Sequence, residues 1–136
     1  MPQPAAPMRK LKFRRLPGVF GICRLPPDTP VPSWSARPSS FSSVTRTRDE
    51  LSVVTELENI ASEHTNPDRW ACFKLEGPFA FSEVGILASF IHPLPPAGIP
   101  IFAISTFDTD YVLVRQENAE AALQALREAG HLLLGD

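Results

Sequence analysis

Two cysteines, one tyrosine and a net charge of only −2 leave this chain with little that announces chemistry. Cys23 and Cys72 each sit in an apolar run, and 136 residues suffice for a core without a disulfide. The expectation is therefore two half-buried thiols in a reducing compartment. With 13 Lys and Arg against 15 Asp and Glu, nothing draws the chain toward nucleic acid or anionic lipid. No apolar run reaches the ~18 residues of a membrane span. The opening MPQPAAPM lacks the apolar core of a signal peptide and reads as a short disordered tail, which points to the cytoplasm. His64, His92 and His131 lie far apart without metal-ligand spacing and are expected at the surface or a boundary. Cys72 has no base near it in sequence to make it a nucleophile. The 7 glycines form neither a phosphate loop nor a dinucleotide fingerprint. These absences argue against an enzyme, a metal site and a cofactor.

What the chain does have is pattern, and from residue 70 the pattern is clear. WACFKL at 70–75 is a short strand, and Glu76-Gly77-Pro78 is a turn. Ser82 is placed to cap a helix, with Leu87, Phe90, Ile91 and Leu94 along one face. Pro93 stops or kinks it, and Pro95, Pro96 and Gly98 end it. Two β-branched runs, 99–104 and 111–115, flank a polar corner at 105–110, so they form a hairpin. Asn118 caps a second helix with Ala122, Leu123 and Leu126 on its apolar face, Gly130 stops it, and 131–134 is a last strand. The order β-α-β-β-α-β is the ferredoxin-like arrangement of an α+β fold.

The first half reads as a worn copy of the second. At a shift of 60 residues Phe13 falls on Phe73, Thr45 on Ser105 and Glu50 on Asp110. The basic stretch 8–15 is then a strand with a solvated charged face. The prolines of 25–38 forbid a regular first helix, leaving a loop with at most one turn near 33–36. A short remnant of the second helix is expected around 56–62. Trp34 reads either as a plug for the space of the missing helix or as an exposed anchor for a partner, the plug being the favoured expectation. The units are drawn as 8–68, degenerate, and 69–136.

The span 81–114, FSEVGILASFIHPLPPAGIPIFAISTFDTDYVLV, resembles the ACT domain, in particular the subfamily of the CASTOR arginine sensors and small bacterial two-ACT proteins. The resemblance implies a fold of two tandem ACT-like units. It also implies a non-catalytic regulatory protein and a homodimer, with a small amino acid or related metabolite held at a unit–unit interface. It assigns ligand contacts to Ser82, Glu83 and Gly85 at the helix start, Ile101 at the strand entry, and Thr106, Phe107 and Asp110 at the corner. The resemblance makes Asp110 the match of the family aspartate that faces a cationic ligand group. Pro100 replaces a strand-start serine of the family, and Ala80 stands where the sensors can carry glycine, so arginine itself does not carry over. Local chemistry also admits a plainer reading: Thr106, Asp108 and Asp110 are common turn formers, and Gly85 serves helix–strand packing. In that case the units form a protein–protein interaction module without a ligand.

Overall fold

The computed structural model describes residues 8–80 and 84–135. Contacts divide the chain into two compact units. One gathers the residues up to Arg15 with those from Phe73 onward; the other is Leu16–Cys72.

In the first of these, strand β1 (Lys12–Arg15) joins the C-terminal elements. By contacts, residues 8–15, drawn from sequence with the 8–68 unit, group with the later elements. The cause is Phe13. It is 0% exposed, its ring 5.7 Å from Phe73 and 5.1 Å from Phe90. Edge-to-face aromatic packing of this kind adds to simple burial. Phe13 and Phe73, expected as equivalents in two repeats, are instead neighbours in one core.

β1 pairs antiparallel with the second half of β5 (Trp70–Leu75) through Phe13↔Leu75, and parallel with β8 (Leu132–Leu134) through Phe13↔Leu133. On the other side β5 pairs with β7 (Asp110–Arg115), and β7 with β6 (Phe102–Ser105). The expected β-α-β-β-α-β sequence is present as β5, α1 (Ile86–Ile91), β6, β7, α2 (Ala119–Glu128) and β8. The fold is ferredoxin-like, with β1 as a fifth strand between its first and last.

α2 buries Ala119, Ala122, Leu123 and Leu126, the face its spacing predicts. Glu120 in its first turn and Arg127 in its last complement the helix dipole. Asn118 makes no side-chain cap; a turn at Gln116–Asn118 leads straight into the helix. Gly130, at φ +94°, supplies the left-handed stop.

α1 starts later than Ser82, which lies outside the described residues with Phe81 and Glu83. Gly85 has φ +78°, a left-handed conformation that a helical first turn does not admit, so the helix begins after it. The close-packing role considered for Gly85 is overturned, since a Cβ there would meet nothing within 4 Å.

His131 is not a surface residue. It is 5% exposed and bridges three segments. The Leu11 N–H donates to its Nδ1 at 3.1 Å, so Nε2 carries the proton and donates to the Ser89 carbonyl at 3.1 Å. Both cysteines are buried and unpaired; burial raises Cys23 and pushes Cys72 up to about 12. Neither is a nucleophile at neutral pH.

The Leu16–Cys72 unit holds β2 (Phe20–Leu25), β3 (Ser43–Arg46), β4 (Leu51–Glu56) and the start of β5, in the order β3-β4-β2-β5. The proline-rich segment keeps one turn, Ser33–Ala36, and Trp34 packs on Cys23, Leu25, Leu51 and Val53 where a helix would lie. The expected helix remnant is two turns, Leu57–Asn59 and Ser62–His64. Among the described residues no helix is long and apolar enough to cross a membrane, and no side-chain group could hold a metal ion.

Two predictions follow from the shared core. Phe13→Ala removes a fully buried ring and should cost about 3–5 kcal/mol in urea unfolding, with loss of near-UV aromatic signal. Burial also lowers His131, with its Ser89 hydrogen bond opposing. The unfolded chain takes up that proton first, so stability is whole above pH ~6.5 and declines as pH falls below it. Unfolding followed from pH 7.5 to 5 should show this slope, and His131→Asn should flatten it.

Candidate ligand cleft

The corner between β6 and β7 is built by its own hydrogen bonds. Ser105 and Asp110 pair across the hairpin. The Thr106 N–H donates to the Thr109 carbonyl at 2.8 Å, and the Thr106 hydroxyl donates to the same oxygen at 3.1 Å. The Thr109 N–H returns to Thr106 Oγ1 at 3.4 Å. A threonine side chain that mimics a backbone turn explains the polar residues here.

Two further bonds fix the corner to the rest of its unit. Thr109, 6% exposed, donates its hydroxyl to the Leu75 carbonyl at 2.8 Å. The Phe79 N–H donates to the Asp108 carbonyl at 3.0 Å. A Cβ on Gly77 would stand 3.0 Å from that same carbonyl, so glycine lets the chain after β5 lie against the corner.

Between corner and loop opens a cleft of about 220 Å³, whose walls include Ser105, Thr106, Phe107, Asp108, Asp110 and Ile86. Phe79 and Ala80 close the loop side. The Ser105 hydroxyl donates to Asp110 Oδ1, which orients that carboxylate. Among the described residues the charged ones lining it, Asp108 and Asp110, are acidic, so this part of the cleft favours a cationic group. Its size is below the ~300–1,000 Å³ of drug-sized sites, which suits a metabolite of amino-acid size. Phe107 stands 78% exposed at the rim.

Of the residues singled out from sequence, the cleft brings together Thr106, Phe107 and Asp110. Gly85 caps the helix whose first residue, Ile86, lines the wall. Ile101 does not line it; β6 begins one residue later, at Phe102. Ser82 and Glu83 lie outside the described residues. Ser105 and Asp108 also line the cleft, residues the sequence marks only as a repeat position and a turn former. The hairpin register would have found Ser105, since it is the cross-strand partner of Asp110.

A family model for the ACT domain matches residues 65–128, and a second model, of an N-terminal domain, matches residues 18–63. The human cytosolic arginine sensor for mTORC1, subunit 1 (Homo sapiens), is 28% identical over 105 residues, 70% of this chain and 32% of its own. The chain thus spans about a third of the length of the curated relatives it matches. A crystal structure of an Agobacterium tumefaciens protein is similar at 44% identity and a TM-score of 0.84, over 93% of both chains. The regulatory subunit of aspartate kinase from Thermus thermophilus shares the fold at a TM-score of 0.55 and 18% identity, over 84% of this chain and 98% of its own.

Thr109→Val keeps the shape of the corner but leaves the Leu75 carbonyl without its donor. It should cost about 1–2 kcal/mol in urea unfolding and speed hydrogen exchange at the Phe79 amide.

Proposed function

Residues 65–128 match the ACT domain, and from that premise we propose that the chain is a non-catalytic regulatory protein that binds a small amino acid in the corner cleft. The observation that carries this reading is the convergence of Asp110, Thr106 and Phe107 on one acidic cleft headed by α1. Asp110, oriented by Ser105, takes the cationic group of the ligand; Asp108 adds to the field. Thr106 fixes the corner's backbone, and Phe107 closes over the ligand as its exposed ring loses water. In this reading Ser82, Glu83 and Gly85 supply contacts from the chain before α1.

A ligand this small leaves much of itself open in a single copy. The proposal therefore includes a homodimer, in which a second copy covers the cleft. Ligand and assembly are then linked, each strengthening the other. The Leu16–Cys72 unit is read as a degenerate ACT-like partner, and the protein as cytoplasmic, like the arginine sensors it resembles. The family's regulatory character and the relatives named as sensors support a binding role over an enzymatic one.

A second reading, an interaction module without a ligand, draws on Phe107 and Val84, both exposed. A thermal-shift panel of the common amino acids separates the two. The sensor reading expects one of them to raise the melting temperature, by the equivalent of ~2.7 kcal/mol at a hundred times Kd. Asp110→Asn, which keeps the Ser105 contact and loses the charge, should abolish most of that shift. A panel that leaves the wild-type melt unmoved rejects the sensor and leaves the interaction module.

A further inference from the structure

The corner described above exists twice. At a shift of 59 residues, not the 60 expected from sequence, the rung Arg46↔Leu51 of β3 and β4 falls on the rung Ser105↔Asp110 of β6 and β7. The bonding repeats as well. The Thr47 N–H donates to the Glu50 carbonyl at 2.9 Å, the Thr47 hydroxyl reaches the same oxygen at 3.4 Å, and the Glu50 N–H returns to Thr47 Oγ1 at 3.2 Å. Those are the bonds of Thr106 and Thr109.

What differs is the gap between the corner and the loop after the preceding strand. In the C-terminal unit that gap is the cleft, flanked by Ser105 and Asp110. In the N-terminal unit Arg46 rises from the rung of Ser105 and spans it. Its guanidinium donates through Nη1 to the Pro27 carbonyl and through Nη2 to the Thr29 carbonyl at 2.8 Å. A second arginine, Arg24, donates to the Asp49 carbonyl at 2.8 Å. That carbonyl is the counterpart of Asp108, which takes a backbone amide instead. The loop after β2 is rich in proline, which offers acceptors and no N–H donors, so arginine supplies what the loop lacks. A planar fork suits two carbonyls at once. Asp110 is replaced by Leu51, fully buried, so the carboxylate that Ser105 orients in the C-terminal corner has no counterpart on this rung.

We propose that Arg46 is a tethered occupant: it fills, within the chain, the corner gap that stays open in the C-terminal unit. The N-terminal corner is thus closed to free ligand, and the chain takes one ligand, not two. The vacated gap is a guanidinium site framed by the carbonyls of Pro27 and Thr29. The inference extends the function proposed above, but its test does not depend on that ligand.

The test is chemical rescue with methylguanidinium at millimolar concentration. Arg46→Ala should lower the melting temperature by about 4 °C. The probe should restore about half of that loss, shift the backbone amide resonances of Thr29 and Thr47, and leave the wild-type melt unchanged. Adding Asp110→Asn to the variant should leave the rescue intact, which separates it from any binding at the C-terminal cleft. Should Arg46→Ala not fold, Arg46→Thr provides the same vacancy with a short side chain better suited to a strand. The proposal is overturned if the probe moves neither the melt nor the loop amides of a folded variant, or if Asp110→Asn abolishes the rescue.

Discussion

One buried hydrogen bond, from the Thr109 hydroxyl to the Leu75 carbonyl, decides where the corner sits. Leu75 is the last residue of a core strand, fully buried, and Thr109 is the last residue of the turn. The bond therefore transfers the rigidity of the sheet to a loop that would otherwise be held only at its ends. The Phe79 amide on the Asp108 carbonyl then sets the opposite wall. A cleft framed by two such bonds is present before any ligand arrives. Binding then costs less in ordering.

The two units show what the same corner becomes when its surroundings change. The loop between first strand and hairpin is nine residues shorter in the N-terminal unit and carries prolines in place of a helix. Without a helix, Trp34 covers the exposed sheet, and arginine side chains take over bonds that backbone amides make elsewhere. The degenerate unit keeps its turn chemistry and loses its opening.

Much of this was legible in residue order. The strand at 70–75, the hairpin, the second helix and the irregular proline loop each carry a local signal, in alternation, helical spacing or a missing N–H. The partner of β1 carries none. Alternation around Phe13 tells which side of a strand is buried, not which strand lies beside it. His131 escaped because a buried imidazole depends on an acceptor and a donor, Leu11 and Ser89, that lie far away in the chain. Gly85 was placed inside a helix because spacing does not reveal the sign of φ. The family resemblance pointed to Thr106, Phe107 and Asp110, and turn chemistry marked Thr106, Asp108 and Asp110, whereas Ser105 required the register of the hairpin. The shift of 60 missed by one residue for the same reason.

The neighbours of β1 have a consequence for how the molecule comes into being. Lys12 pairs with Leu132, about 120 positions apart. A ribosome releases the Phe13 strand long before its parallel neighbour is made, while the strands of Leu16–Cys72 find their main partners within a few dozen residues. Closing so long a span is slow, because the entropy is lost before the contacts reward it. During translation the apolar ring of Phe13 therefore stays without its core until Phe73, Phe90 and the last strand have emerged.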